Sequence, residues 1–313
     1  RDTEKKVSGR ERGMRTAAID IGGTMIKSGV WDGTRLEQIK EYPTDLSLGG
    51  ASLMRQVKEI LHSGLLCGDE TGAIGISTAG QVDAGRGSIL YANDNIPGYT
   101  GTNVKKILEE EFSIPVTVEN DVNAAAMGEA RFGAGAGFRD FLCLTYGTGV
   151  GGAVILGKEL YRGSSYSAGE FGGMIVHPED RKEGEPFSGC YEKYASVTAL
   201  VQRLSKVEPL VNSGKKAFAQ LNDPRIKDII DTWIDEIVYG LISLIHIFNP
   251  ECLILGGGVM EQAYLVREVE KRVKSQIMES YAKTVIRKAG LGNRAGMTGA
   301  AWLAEKKAGL RQV

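Results

Sequence analysis

The polar residues at 119–123 are the part of the sequence best suited to chemistry. Glu119, Asn120, Asp121 and Asn123 lie between an apolar, strand-like segment and a helix-like segment of small residues. Asn and Asp are preferred helix N-caps, and a single one would be enough to cap this helix. Four polar groups in five positions therefore indicate a further role. A carboxylate at this point could accept a proton from a substrate hydroxyl.

A glycine turn at residues 20–24 has the composition of a phosphate-binding turn. Asp20 ends a strand-like segment, Gly22 and Gly23 follow without side chains, and Thr24 supplies a hydroxyl. Backbone N–H groups of such a turn can approach phosphate oxygens closely. Thr24 can donate a hydrogen bond, and Asp20 can hold Mg²⁺ through water. A plain hairpin turn is the alternative interpretation.

A second glycine-rich run, GTGVGG at 147–152, matches the spacing of a dinucleotide-binding fingerprint. That motif requires a helix after the glycines, whose N-terminus receives the pyrophosphate, whereas residues 153–156 are typical of a strand. A P-loop is excluded as well, because Glu159 stands where Ser or Thr must bind Mg²⁺. We therefore predict a second phosphate-binding hairpin, formed around Thr148 and Gly149, with a simple sheet turn as the alternative.

Three consecutive glycines, Gly256, Gly257 and Gly258, follow the apolar segment 251–255. They leave a flat surface without side chains at the point where a strand ends and a helix could begin. Such a surface could seat adenine or ribose. It could equally be a helix start of poor propensity, since glycine disfavours helices.

The order of the elements indicates an α/β protein made of two related halves. A strand, glycine turn, strand pattern occurs once in each half, and in each half strands precede helices. We predict two α/β domains with a ligand between them, the first over residues 14–120 and the second over 121–296, followed by a last helix within 297–313. Residues 1–13 are charged and poor in apolar residues, and we interpret them as a disordered tail or an artificial remnant.

Composition excludes several classes of protein. Lys and Arg total 38 among 313 residues and Asp and Glu total 39, a net charge of -1. This balance argues against a nucleic-acid partner and against binding to anionic membrane surfaces. The apolar run at 237–248 is too short and too interrupted to span a bilayer. Four scattered cysteines without a CxxC pair fit a reduced, cytoplasmic protein.

Taken together, these motifs resemble those of the ROK family of repressors and sugar kinases, in the actin-like ATPase superfamily. The family order is kept by DIGGT at 20–24, ENDVNAAAMGE at 119–129, GTGVGG at 147–152, GEFG at 169–172 and LGGG at 255–258. The resemblance covers nearly all of residues 19–304. It implies two ribonuclease-H-like domains with a cleft between them, and a last helix that folds back onto the N-terminal domain.

The resemblance also implies roles for individual residues in an ATP- and Mg²⁺-dependent phosphoryl transfer. Asp121 would be the general base that takes the proton from a hexose hydroxyl attacking the γ-phosphorus of ATP. The expected sugar ligands are Asn95, Asn120, Glu170 and Glu192. The expected phosphate contacts are Gly22, Gly23, Thr24, Thr148 and Gly149, with Asp20 toward Mg²⁺. Gly256, Gly257 and Gly258 would face the nucleoside.

The sequence departs from the family at its zinc site. Many members have a histidine where this chain has Gly173, and cysteines where it has Glu183 and Glu185; of those cysteines only Cys190 remains. One thiolate cannot form a tetrahedral zinc site, so we predict no structural zinc. We interpret His177, which is followed by Pro178, as a surface loop residue.

Two further departures bear on substrate and phosphate binding. The missing family histidine usually contacts the sugar, and Gly173 in its place could widen the pocket for a substituted hexose. Met25 replaces the lysine that commonly follows DIGGT. Lys27 could take over that function only if it lies on the right face of the strand and reaches far enough.

The sequence thus predicts an ATP-dependent hexose kinase of the glucokinase type, phosphorylating the 6-hydroxyl. N-acetylmannosamine kinase and β-glucoside kinase are the close alternatives. A sugar-responsive ROK repressor is disfavoured because no helix-turn-helix pattern precedes the first strand, and a catalytically idle sugar-binding protein because both phosphate hairpins and Asp121 are present. A NAD-dependent oxidoreductase is excluded by the strand at 153–156. Family members are often homodimers, and we expect the same here.

Overall fold

The computed structural model describes residues 14–66 and 70–310 and has two sheets of the same design. Residues 1–13, interpreted above as a tail, and the end of the last segment, 311–313, lie outside the described residues. Each sheet has five strands in corresponding order: residues 36–43, 25–31, 15–21, 71–78 and 116–120 in one, and residues 159–161, 150–156, 141–146, 252–256 and 285–288 in the other. In both sheets the first two pairings are antiparallel and the last two are parallel. The predicted α/β fold with two related sheets is confirmed.

Among the described residues, the first half of the chain forms the first sheet, a small hairpin, three α-helices and a short π-helix at Leu61–Leu65. In chain order these elements are β1 (Arg15–Ile21), β2 (Met25–Trp31), β3 (Leu36–Pro43), α1 (Gly50–Ile60), β4 (Thr71–Thr78), β5 (Gln81–Asp83), β6 (Ser88–Tyr91), α2 (Val104–Phe112), β7 (Val116–Asn120) and α3 (Asp121–Phe132). Strand β1 is central, and its Ala17, Ala18, Ile19 and Ile21 are fully buried. Such a continuous apolar run is typical of a strand that is covered on both faces.

The second half forms the second sheet and six helices. In chain order these elements are β8 (Phe141–Tyr146), β9 (Val150–Leu156), β10 (Glu159–Tyr161), α4 (Glu192–Ala195), α5 (Val197–Leu204), α6 (Gly214–Phe218), α7 (Pro224–Phe248), β11 (Cys252–Gly256), α8 (Ala263–Lys274), β12 (Val285–Lys288) and α9 (Ala295–Lys307). The long helix α7 buries Trp233, Ile237 and Leu241 against this sheet. Pro224 begins α7, where its missing N–H is not needed.

Helices α3 and α9 form the junction between the sheets. Helix α9 packs on β1 and β4 of the first sheet and on α3, and Ala126 and Met127 of α3 join a core cluster with residues of β8 and β9. The contact is very close, because a Cβ added to Gly299 would overlap the carbonyl oxygen of Ala124, and one added to Gly75 the carbonyl of Ala300. Glycines at these positions let backbones meet directly.

The structure refines several sequence predictions. The last helix begins at Ala295 instead of Met297 and ends at Lys307. The hairpin of β5 and β6 has no counterpart in the predictions, because strands of three and four residues carry little periodic signal. The 120/121 boundary falls where β7 meets α3, and the division into domains stays a prediction. Among the helices of the described ranges, none combines the length and apolar character needed to cross a bilayer.

Candidate active site

The first glycine turn fixes Asp20 from two neighbouring strands. Asp20 of β1 lies in register with Lys27 of β2, whose Nζ is 3.6 Å from Asp20 Oδ2. Ser77 of β4 donates a hydrogen bond of 2.7 Å to Asp20 Oδ1. The N–H of Gly22 donates to the carbonyl of Met25 at 3.0 Å and closes the turn. Lys27 therefore reaches this aspartate, although it is not among the residues that line the central cavity, and its replacement of the family lysine stays a prediction. An aspartate held from both sides is suited to orient a hydrated cation.

The other residues of this turn differ in what they face. A Cβ on Gly23 would lie 3.7 Å from the Cβ of Asn95, so Gly23 lies against the loop after β6. Thr24 is exposed, and its carbonyl accepts a hydrogen bond of 2.9 Å from the N–H of Thr44. The glycines of the turn therefore face the central cavity described below, whereas Thr24 lies outside its lining.

The second glycine turn joins β8 and β9 and is followed by a strand, as predicted. The N–H of Gly147 donates to the carbonyl of Gly149 at 3.0 Å, and Thr198 donates to the carbonyl of Thr148 at 2.8 Å. The carboxylate of Glu192 packs where a Gly149 side chain would be and accepts a hydrogen bond of 3.0 Å from the N–H of Val150. Gly149 thus makes room for a carboxylate beside a phosphate-sized turn.

Asp121 is the first residue of α3, and Asn120 caps that helix. Asn120 Oδ1 accepts from the N–H groups of Val122 and Asn123 at 3.0 and 3.1 Å. Its Nδ2 donates to Asp121 Oδ1 and to the carbonyl of Gly80, both at 2.9 Å. Val122 N–H donates to the same Oδ1 of Asp121 at 2.8 Å. Oδ2 of Asp121 receives no hydrogen bond from the described residues and is the oxygen available to a guest.

The carboxyl of Asp121 holds its proton unusually tightly. Burial is the largest cause, the negative charges of Asp20 and Glu170 add to it, and together they raise its pKa to about 6 in spite of the hydrogen bonds from Val122 and Asn120. A base whose pKa lies just below neutral pH is largely ionised at pH 7 and still basic enough to remove a proton from a reacting hydroxyl.

Glu119 binds a partner that sequence reasoning missed. Its side chain is 2% exposed, and Oε2 accepts hydrogen bonds from Nε and Nη2 of Arg162 at 2.9 and 2.7 Å. The other oxygen accepts from the N–H of Asn120 and from Asn123 Nδ2. A buried carboxylate requires such pairing, so a glutamate ending an apolar strand was a signal that a cation must exist. The sequence did not indicate which basic residue would be this cation.

One cavity of about 530 Å³ brings together most of the predicted site residues. Those that line it are Gly22, Gly23, Asn95, Asn120, Asp121, Thr148, Gly149, Glu170, Glu192, Gly257 and Gly258. Asp20 lies behind it, close enough to Asp121 to raise the pKa of that residue. Both glycine turns therefore face one space, with Asp121 between them.

Gly256, Gly257 and Gly258 separate this space from two neighbouring cavities. Gly256 is buried and lines one of about 330 Å³ that also contains Glu129 and Lys288. Gly258 lines the other, of about 780 Å³, whose walls include the apolar side chains of Val197 and Val201. A partly apolar recess beside a phosphate-sized turn suits a flat heterocyclic base.

The acceptor end of the cavity is rich in carboxylates. Glu170 and Glu192 are close enough to interact, and burial together with the charge of Glu192 raises the pKa of Glu170. Nothing lies within 4 Å of where a Cβ of Gly173 would be. Carboxylates and the amides of Asn95 and Asn120 are the groups that bind several hydroxyls at once.

His177 lies in a loop and is partly exposed, as the sequence predicted, but it has two partners that the sequence did not indicate. Its side chain is 23% exposed; Nδ1 lies 2.8 Å from Glu179 and Nε2 lies 2.9 Å from Glu236 of α7. Burial alone would lower its pKa, but the hydrogen bonds with Glu236 and Glu179 outweigh it, and the pKa is raised. Among residues 14–66 and 70–310, no group of three or more His, Cys, Asp or Glu side chains is arranged to hold a metal ion.

The chain belongs to the ROK family, whose model it matches over residues 16–307. It is 33% identical to a glucokinase of Streptomyces coelicolor, covering 93% of this chain and 98% of that one. It is 32% identical to a β-glucoside kinase of Listeria innocua, with 92% and 97% covered. The crystal structure of a ROK family glucokinase from Streptomyces griseus in complex with glucose and AMPPNP is 33% identical, superposes with a TM-score of 0.80, and covers 93% of this chain and 99% of that one.

Proposed function

We propose that this ATP-dependent sugar kinase transfers the γ-phosphoryl group of MgATP to the 6-hydroxyl of a hexose of the glucose type, with Asp121 as general base. The observation that carries the proposal is the free Oδ2 of Asp121 in a cavity that both glycine turns line. A kinase needs a base, a phosphate cradle and a hydroxyl-binding surface around one point, and these residue types meet there.

The proposed reaction exchanges one P–O bond for another and transfers one proton. The sugar hydroxyl oxygen bonds to the γ-phosphorus as the bond from that phosphorus to its bridging oxygen breaks, and the hydroxyl proton passes to Asp121 Oδ2. Sugar phosphate and ADP are the products. Phosphoryl transfer needs little covalent chemistry from the protein and depends on positioning and charge neutralisation.

The phosphates are proposed to lie between the glycine turns. Gly22 and Gly23 would present N–H groups from one side, Thr148 and Gly149 from the other, and Asp20 would orient the hydrated Mg²⁺ that arrives with ATP. Thr24 is the weakest of the proposed phosphate contacts, because it is exposed and outside the lining. The nucleoside is proposed to lie over Gly256–Gly258, with its base in the recess beside Val197 and Val201.

Asn95, Asn120, Glu170 and Glu192 are proposed to bind the sugar hydroxyls. Their amide and carboxylate groups line the same space as Asp121. A β-glucoside and N-acetylmannosamine are the alternative substrates; Gly173, which stands where many relatives have a histidine, is exposed and outside the cavity lining and does not decide between them. A β-glucoside kinase at 32% identity supports the first of these.

We further propose that the protein acts in the cytoplasm as a homodimer. Cys143, Cys190 and Cys252 are buried free thiols, as expected in a reducing compartment. The homodimer is inferred from the family.

The test of the base is Asp121→Asn. The amide keeps the shape of the carboxylate but cannot take a proton, so we expect kcat to fall about 10²–10⁴-fold while calorimetry still detects sugar binding. ADP release measured with glucose, mannose, N-acetylmannosamine, N-acetylglucosamine and an aryl glucoside identifies the acceptor.

Asp228→Asn is the matched control, since Asp228 is exposed on α7 away from the cavity. It should leave kcat unchanged. Retention of more than about a tenth of wild-type turnover by Asp121→Asn would remove this residue from the role of base. Absence of turnover by the wild-type protein with all five sugars would contradict the kinase assignment itself.

A further inference from the structure

The mouth of the central cavity has two aromatic side chains that the proposed reaction does not use. Tyr91, the last residue of β6, is 54% exposed, and Phe187, in the loop between β10 and α4, is 61% exposed. Both line the cavity that contains Asp121 and Glu170. Exposed apolar groups grouped at a ligand cavity mark a binding surface more often than chance exposure does.

Tyr91 is tied to the catalytic end of the cavity. It pairs with Gln81 across the small hairpin of β5 and β6. The residue before that hairpin, Gly80, accepts a hydrogen bond of 2.9 Å from Asn120, next to Asp121. The position of the Tyr91 ring is therefore coupled to that of the proposed base through one short segment.

The loop on both sides of Phe187 is fastened as well. Nη1 of Arg181 donates to the carbonyls of Pro186 and Ser188, at 2.7 and 2.9 Å, and so spans Phe187. Ser188 Oγ accepts from the N–H of Lys182 at 2.9 Å and donates to the carbonyl of Glu185 at 2.7 Å. These hydrogen bonds hold the backbone on both sides of Phe187, so its exposed ring is preorganised for a partner.

The chemistry of the cavity changes from its interior to its mouth. The interior offers amides and carboxylates, which bind the hydroxyls of the sugar that reacts. The mouth offers two exposed aromatic side chains, and aromatic rings pack against the C–H face of a pyranose or against a second aromatic ring. A ligand that fits both regions has two linked rings: a sugar in the interior, whose reacting hydroxyl is free, and a second ring at the mouth.

We propose that Tyr91 and Phe187 form a subsite for the second ring of a glycoside, so that the acceptor is a disaccharide or an aryl glycoside with a free 6-hydroxyl. The inference rests on the proposed function, because it places the first ring beside Asp121.

The test compares one-ring and two-ring acceptors. Glucose, cellobiose and p-nitrophenyl β-glucoside are assayed by ADP release with the wild-type protein, Tyr91→Ala and Phe187→Ala. We expect kcat/KM for both two-ring acceptors to fall about tenfold in each variant, the loss of one well-packed aromatic contact, while kcat/KM for glucose changes less than twofold. Tyr239→Ala is the matched control, since Tyr239 is 48% exposed on α7.

Three outcomes would overturn the subsite. The first is phosphorylation of glucose with neither two-ring acceptor turned over. The second is an equal loss with one-ring and two-ring acceptors, which would mean that the aromatic side chains contact the reacting sugar. If the wild-type protein turns over no sugar, the proposed function fails, and calorimetry with p-nitrophenyl β-glucoside decides the subsite alone: a Kd unchanged in both alanine variants ends it.

Discussion

The carboxyl of Asp121, the proposed general base, opposes folding at neutral pH. Its pKa of about 6 in the folded protein is well above the ordinary value for an aspartate. The folded chain therefore holds this proton more tightly than the unfolded chain does, so the free energy of unfolding falls as the pH rises from 3.8 to about 6 and is unaffected by this group above that. At neutral pH the ionised base is a local destabilisation that the rest of the core outweighs.

The same pKa predicts the pH dependence of catalysis. Only the deprotonated carboxyl can accept a proton, so kcat/KM for the sugar should fall about tenfold per pH unit below a midpoint near pH 6. Asp20→Asn removes one of the charges that raise this pKa, so the midpoint should move to lower pH in that variant, whatever its loss of rate. A pH–rate profile of both proteins, at sugar concentrations far below KM, measures the shift. If the midpoint of the profile lies at the same pH in Asp20→Asn as in the wild type, the loss of kcat/KM at low pH does not come from the titration of Asp121.

The sequence was informative about the residues of this site to different degrees. Asn120 and Asp121 could be found because a helix start needs one cap and this one has a surplus of polar groups. Lys27 needed the register of β1 and β2, because only the pairing opposite Asp20 shows its reach. Arg162 is 43 residues from Glu119, and Tyr91 and Phe187 are marked by exposure, a property of the folded surface that sequence alone does not contain.

At the scale of elements, the crossing of α3 and α9 depends on backbone contact. Both helices could be predicted from their small residues, but their contact could not, because the same Ala- and Gly-rich pattern fits a solvent-exposed helix of low propensity. The structure brings Gly299 against the carbonyl of Ala124 and Gly128 against that of Ala295. The glycines are therefore required by packing, although they weaken each helix in isolation.

Gly299→Ala tests this directly. In an exposed helix the change stabilises by about 1 kcal/mol, but here the new methyl group would overlap the Ala124 carbonyl, so we expect the opposite sign, with a loss of about 1–3 kcal/mol from overpacking. Denaturant unfolding measures it. Gly137→Ala is the control, since Gly137 is exposed with nothing within 4 Å of an added Cβ, and should be neutral. A Gly299→Ala protein as stable as the wild type would show that the helices can separate freely.

His177 and α7 illustrate a second limit at this scale. The loop between Glu170 and Glu192 lacks the metal ligands of many relatives, and no periodic pattern predicts its course. The structure braces it with hydrogen bonds, His177 to Glu236 and Arg203 to the same glutamate at 3.1 Å. A histidine followed by a proline does not indicate a partner 59 residues away. Polar contacts over such a distance in the chain are known only from the folded structure.

At the scale of the molecule, the two sheets are linked by an ion pair whose carboxylate is buried and whose guanidinium is partly exposed. Glu119 is the penultimate residue of β7 in the first sheet, and Arg162 follows β10 of the second. The repeated strand order of the sheets follows from the strand, turn, strand pattern seen twice in the sequence. Their mutual placement follows from contacts such as this pair, which no local pattern encodes.

Arg162→Gln should destabilise the whole protein. It leaves the carboxylate of Glu119, 2% exposed, without its cation. Because the Arg162 side chain is 30% exposed and the other carboxylate oxygen keeps its hydrogen bonds, we expect a loss of about 1–3 kcal/mol. Thermal unfolding measures the loss. The double variant Glu119→Gln, Arg162→Gln should recover most of it, because no buried charge is then left unpaired.

Arg86→Gln provides the comparison for an exposed pair. Arg86 is 83% exposed and lies 3.9 Å from Asp83, and such pairs contribute about 0–1 kcal/mol. If Arg162→Gln lowers the free energy of unfolding no more than Arg86→Gln does, the ion pair between the sheets does not contribute to stability.

Helix α9 has a consequence for synthesis of the chain on the ribosome. The elements against which it packs, β1 and β4, emerge from the exit tunnel more than two hundred residues earlier. Until translation reaches residue 307, the face of that sheet under α9 has no cover of its own. The nascent protein must therefore shield an incomplete core throughout elongation, and a premature stop codon upstream of Ala295 would release an apolar surface suited to chaperone binding and degradation.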